Sequence, residues 1–250
     1  MPIFKHNSID TAYLDEGEGE AILLIHGFAS SKDVNWVYPG WVNTLTADGR
    51  RVIALDNRGH GQSSKLYAPA DYHTSRMAED AVGLLDYLGI GRADVMGYSM
   101  GARITAYMAL EHPDRVRSAI LAGLGSRLIE GAGLNPAIAD ALEAPSLDDV
   151  VDQEGRTFRK FADQTRSDLR ALAACIRGSR QQMSHTEASL IQTPTLVAVG
   201  TKDDVAGSAS ELAAVLPDAV SFDIPGRDHM LAVGDKALKE RVLAFLAERP

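Results

Sequence analysis

The sequence holds a single cysteine, Cys175, among 250 residues. One thiol cannot close an intrachain disulfide, and a zinc site built on several cysteines is excluded with it. No apolar run approaches the roughly 18–20 residues that cross a bilayer. The opening Met1-Pro2-Ile3-Phe4-Lys5-His6 lacks the charged segment and apolar stretch of a secretory signal. A cytoplasmic protein with no membrane partner is therefore expected. Basic charge is also scarce: 25 Lys and Arg face 34 Asp and Glu, a formal charge of −9. Such a surface repels polyanions and predicts no nucleic-acid partner. With 22 Gly and 10 Pro, the chain has too little of either for a fibrous or low-complexity protein.

What is present is an ordinary globular mixture, 45% hydrophobic and 24% charged, long enough for one large α/β domain. Short apolar runs at Ala21–Ile25, Arg51–Leu55, Asp94–Tyr98, Ser118–Ala122, Thr195–Val199 and Val220–Ile224 are candidate strands, most of them near-continuous as expected of parallel strands covered on both faces. Amphipathic stretches lie between them. One starts at a Thr74 or Ser75 cap and closes at Gly89, and a second runs over 100–111 and ends before Pro113. A third follows Ser208 and stops at Pro217, and the last covers about 235–248. This alternation predicts a doubly wound, mostly parallel sheet. Ile3–Lys5 and Ala12–Asp15 are expected to pair as an antiparallel edge. Between residues 124 and 191 the alternation stops. Helix starts appear at Ser146 and Ser167 but no strand does, so a helical cap inserted into a single domain, 1–250, is expected.

Gly97-Tyr98-Ser99-Met100-Gly101 ends a predicted strand and opens a predicted helix. A turn that tight forces the residues two before and two after the serine to be small, and it lifts the hydroxyl out of the sheet. A serine hydroxyl needs a base to take its proton and a third group to orient that base. Of seven histidines, His229 falls in the loop after the last strand, at the same sheet edge as Ser99. His26 and His60 sit beside glycines and read as turn residues. The loop after Ser118–Ala122 holds no carboxylate, whereas Gly200-Thr201-Lys202-Asp203-Asp204 holds two. Asp203 is favoured over Asp204 as the orienting acid. Backbone amides of Met100 and Phe28 are the expected donors to a developing oxyanion. Trp36, Tyr38 and Trp41 follow the oxyanion loop. Packing is the commoner role for such a cluster, yet Trp36, together with Tyr98, is expected to contact substrate. For the cap residues Phe158, Phe161 and Met183, packing is the preferred reading.

From His26-Gly27, through Asp56-Asn57-Arg58-Gly59-His60-Gly61-Gln62-Ser63 and the elbow, to Asp203 and His229, the chain resembles the α/β-hydrolase fold superfamily, in its serine carboxylesterase-like branch. The resemblance implies an Asp56–Ser63 loop with a structural role, no metal or organic cofactor, and a small-molecule ester as substrate. A serine nucleophile disfavours the dehalogenase and epoxide hydrolase branches. The leading expectation is hydrolysis of carboxylic esters of short to medium acyl chain through an acyl-enzyme on Ser99. A lactonase or carbon–carbon bond hydrolase would use the same triad. A non-catalytic ligand-binding module on the same fold is the contrasting class.

Overall fold

The computed structural model describes residues 2–131, 135 and 137–249. In chain order the first elements are β1 (Ile3–His6), β2 (Ile9–Glu16), β3 (Glu20–Ile25), α1 (Trp41–Ala47), β4 (Arg50–Leu55), α2 (Thr74–Tyr87), β5 (Ala93–Tyr98), α3 (Met100–Glu111) and β6 (Val116–Ala122). Next come α4 (Arg127–Glu130), α5 (Ala137–Glu143), α6 (Gln153–Gln164), α7 (Leu169–Gly178) and α8 (His185–Ser189). The chain closes with β7 (Thr195–Gly200), α9 (Ala209–Ala213), β8 (Ala219–Ile224) and α10 (Lys236–Glu248).

The eight strands form one sheet in the order β1-β2-β4-β3-β5-β6-β7-β8. β1 and β2 join it antiparallel, with Ile3 opposite Ala12 and Tyr13 opposite Leu55, and the other pairings are parallel. Period-2 alternation divides the core into two layers. Ile22, Leu24, Val52 and Met96 face Trp41 and Leu45 of α1 and Val242 and Phe245 of α10. Leu23, Ile25, Ile53 and Val95 face α2, α3 and the helices that follow β6. Strand order reverses beside β3, which has β4 on one side and β5 on the other. The crevice at the carboxyl ends of β3 and β5 is therefore the place where such a sheet opens to a ligand.

The structure relocates several helix starts. Thr74 and Ser75 do not cap α2: Thr74 Oγ1 donates to Gln181 (2.7 Å) and Ser75 Oγ to Glu111 (2.6 Å), so His73 Nδ1 takes the Ser75 amide instead. Ser146 starts only a single turn, and Val151 is fully exposed. Asp168, not Ser167, caps α7. Its carboxylate takes the Ala171 amide on one oxygen and the Tyr67 hydroxyl on the other, while Ser167 is held by Thr165. The 12-residue α6, capped by Asp152, has no counterpart among the expected helix starts. No described helix is long and apolar enough to cross a membrane.

Candidate active site

The turn after β5 sets the site. Ser99 stands at φ 55°, ψ −112°, a conformation that L residues other than glycine rarely hold. Its neighbours permit nothing larger: a Cβ on Gly97 would lie 2.1 Å from the Gly101 carbonyl oxygen, and one on Gly101 would lie 1.9 Å from that of Ile25. The Ser99 amide bonds the Ala122 carbonyl at 2.8 Å, tying the elbow to the end of β6.

Three loops meet at this edge. His229 Nε2 lies 2.9 Å from Ser99 Oγ, and His229 Nδ1 lies 2.8 Å from Asp203 Oδ2. The Asp203 side chain is wholly buried, and its other oxygen accepts the amides of Val205 and Ala206 at 2.9 Å each. Held that way, the carboxylate cannot rotate off the imidazole, and it fixes the Nδ1–H tautomer that leaves Nε2 free to accept. Asp204 is exposed and takes no part in this line. Asp228 uses its oxygen to accept the amides of Met230 and Leu231, closing the turn behind His229. Tyr98 Oη, deep below, donates to the His229 carbonyl at 2.5 Å and holds the histidine loop down. Burial pushes that phenol up, so it stays a donor.

Across the crevice, the loop after β3 carries Gly27 and Phe28. Asn35 Oδ1 accepts the Gly27 amide at 2.8 Å, and Ala29 turns the chain at φ 58°. Among the described residues the amides of Phe28 and Met100 meet no acceptor, and both residues border one small cavity with Ser99. His26 is spent on structure: Nδ1 donates to Gly27 O at 2.8 Å and Nε2 accepts from the Asn57 amide at 3.0 Å. The Asp56–Ser63 loop behind it is likewise internally bonded. Arg58 forks onto Asp80 with two 2.7 Å bonds, and Ser63 Oγ donates to Asp56 O at 2.6 Å.

The ring of His60 packs edge-on against Phe28, 5.9 Å between centroids. Burial drives its pKa from the ordinary 6.5 down to about 3, helped by His26 and opposed only in part by the Arg58 carbonyl. The unfolded chain therefore binds this proton more readily than the folded one. His60 contributes its full stability above about pH 6.5 and loses it toward pH 3, by about 1.4 kcal/mol per unit. Thermal melts from pH 6.5 to 4.5 are expected to show a steeper loss in the wild type than in His60→Gln. Parallel curves would contradict this assignment.

A cavity of about 310 Å³ opens over Ser99 and His229, walled by Phe28, Tyr98, Phe158, Phe161, Met230 and Leu231. Phe158 and Phe161 therefore face the site rather than serving only as packing. The i, i+3, i+4 spacing of Phe158, Phe161 and Ala162 marks a covered face of α6 but not what lies against it. Met183 does pack, fully buried. Trp36 is not on the wall. The wide helical turn Asp33–Val37 swings it under the sheet, fully buried and edge-on to Trp41 at 6.2 Å, leaving Val34 and Asn35 to line the cavity. Tyr38 points into solvent. Asn35, which fixes the loop after β3, carries no recognisable signal in the sequence.

Comparison with known proteins agrees with this architecture. The family described as alpha/beta hydrolase fold matches residues 20–190, and the chain belongs to it. The chain is 31% identical over 245 residues to a dihydrolipoyllysine-residue acetyltransferase component of an acetoin cleaving system from Pseudomonas putida, covering 91% of this chain and 64% of that protein. A 2-hydroxymuconate semialdehyde hydrolase from Pseudomonas sp. (strain CF600) is 32% identical over 214 residues, 79% of this chain and 75% of its own length. In fold, the enol-lactonase from Burkholderia xenovorans LB400 superposes with a TM-score of 0.82 at 24% identity, over 99% of this chain and 100% of that one.

Proposed function

We propose that this hydrolase cleaves carboxylic esters of short to medium acyl chain through an acyl-enzyme on Ser99. The continuous line Asp203–His229–Ser99, with two uncommitted amides beside the hydroxyl, carries the reading. His229 Nε2 takes the Ser99 proton as Oγ attacks the carbonyl carbon. The amides of Phe28 and Met100 receive the oxyanion, and Asp203 stabilises the imidazolium. The tetrahedral intermediate collapses as His229 hands its proton to the leaving alkoxide. A water deprotonated by the same imidazole then attacks the acyl-serine, and its collapse returns the proton to Ser99. The aromatic cavity of about 310 Å³ suits an acyl or alkyl group of modest length.

A second reading, on a lactone or a carbon–carbon bond, draws support from the semialdehyde hydrolase relative at 32% identity. A 4-nitrophenyl ester series from acetate to palmitate, run beside lactones and a vinylogous diketo acid, separates the two. Turnover highest at short or medium chains is the expected result. Turnover confined to the diketo acid or lactones would replace the ester reading. Binding of these compounds without turnover of any would leave only a ligand-binding module.

A further inference from the structure

The small cavity of about 40 Å³ bordered by Ser99, Phe28 and Met100 is also lined by two arginines, Arg103 and Arg180, and by Ser179. Arg103 stands one helical turn beyond Ser99 on α3, about 6 Å along the axis. It is 6% exposed. Its guanidinium donates to the carbonyls of Gln181 (2.7 Å) and Arg127 (3.3 Å), and those two bonds leave further N–H groups uncommitted. Among the described residues no carboxylate lies within 4.0 Å of it. A second cation, Arg180, acts on it; it follows α7 and is also without an ion pair among the described residues. Glu154 acts on Arg180 only from farther off.

Elsewhere the chain's buried arginines meet carboxylates. Arg58 forks onto Asp80, and Arg50 and Arg249 converge on Asp94. A buried guanidinium left without a counter-ion is costly. Burial and the neighbouring Arg180 pull Arg103 down only to about 10, so it keeps its charge at neutral pH. The rest of the wall is apolar, from Leu124, Ile176 and Val205, which strengthens any charge pair formed inside.

We infer that Arg103 and Arg180 form a carboxylate subsite, and that the substrate hydrolysed at Ser99 carries a second, free carboxylate a few bonds from the scissile carbonyl. This inference rests on the hydrolase reading and narrows it to half-esters, or ring-opened equivalents, of dicarboxylic acids. The planar guanidinium fork suits a carboxylate.

Two arms test it. The first compares kcat/KM for the phenyl half-esters of glutaric and adipic acid with phenyl pentanoate and hexanoate, subtracting the rate with Ser99→Ala. The wild type is expected to favour the half-esters by about tenfold or more, and Arg180→Gln to cut that ratio about tenfold. Arg103→Met should cut it further, but this change also strips two carbonyls of their donor. Arg180→Gln, which breaks no bond to another described residue, keeps the test decisive if Arg103→Met does not fold. An equal or inverted ratio in the wild type, or a ratio untouched by Arg180→Gln, would overturn the subsite while leaving the hydrolase intact. The second arm measures glutarate and adipate binding by calorimetry. Arginine-dependent binding without any ester turnover would keep the subsite and discard the hydrolase. Failure of both diacids to bind, with neutral esters turned over, would do the reverse.

Discussion

Ser99→Ala is expected to lower kcat for a good ester roughly 10⁶-fold, and Asp203→Asn roughly 10⁴-fold, with little change in melting temperature for either. The serine supplies the hydroxyl oxygen that meets His229 Nε2, at 2.9 Å. Removing it leaves the amides of Phe28 and Met100 and the cavity walls, enough to bind but not to form the acyl-enzyme. Asp203 is subtler. Its Oδ1 is engaged by the Val205 and Ala206 amides, so an asparagine would keep its carbonyl there and turn its NH₂ toward His229 Nδ1. The imidazole would then be driven to the Nε2–H tautomer, unable to take the serine proton. Single-turnover and steady-state rates for both variants, with melts alongside, check this. A retained rate in Asp203→Asn would move the orienting role to another group.

Gly101→Ala is expected to be among the most damaging single-methyl additions in the described structure. The added carbon would sit 1.9 Å from Ile25 O and 2.8 Å from His26 O, both backbone atoms of β3 and its exit loop. Neither can yield without moving the Phe28 amide away from Ser99. We expect a loss of roughly 3 kcal/mol or more of stability, together with activity lowered at least 100-fold in whatever folds. By contrast, Gly49→Ala, where no atom lies within 4 Å of the new methyl, meets no clash and bears only the strain of its φ of 76°. Denaturant unfolding of the two variants gives the comparison. A Gly101→Ala protein as stable as the wild type would show that the elbow and β3 are not in contact.

Why some of this was legible and some not follows from the range of the interactions involved. The six parallel strands stand within two residues of their apolar runs, because β3 to β7, buried on both faces, must be apolar almost throughout. The edge strand β8 is covered less than its apolar run suggests. The elbow was legible because its constraint is local: two glycines and a serine at fixed spacing. The meeting of Asp203 and His229 with Ser99 followed from topology, since loops at the carboxyl ends of parallel strands share one edge. Trp36 was misread as a substrate contact because its direction depends on how the turn Asp33–Val37 coils, which composition does not report. Phe158 and Phe161 show the converse. Their place over Ser99 comes from the docking of α6, a helix whose spacing shows which face is covered but not against what. Arg103 reads as one more polar residue on a helix until the fold buries it.

The central claim is that Ser99 is the nucleophile, and covalent labelling tests it most directly. The protein would be treated with an alkyl fluorophosphonate, digested, and mapped by mass spectrometry. One phosphonyl group per chain on the peptide holding Gly97–Gly101, absent from Ser99→Ala, is the predicted result. Efficient ester turnover with no adduct on Ser99, or an adduct on another residue that Ser99→Ala retains, would contradict it.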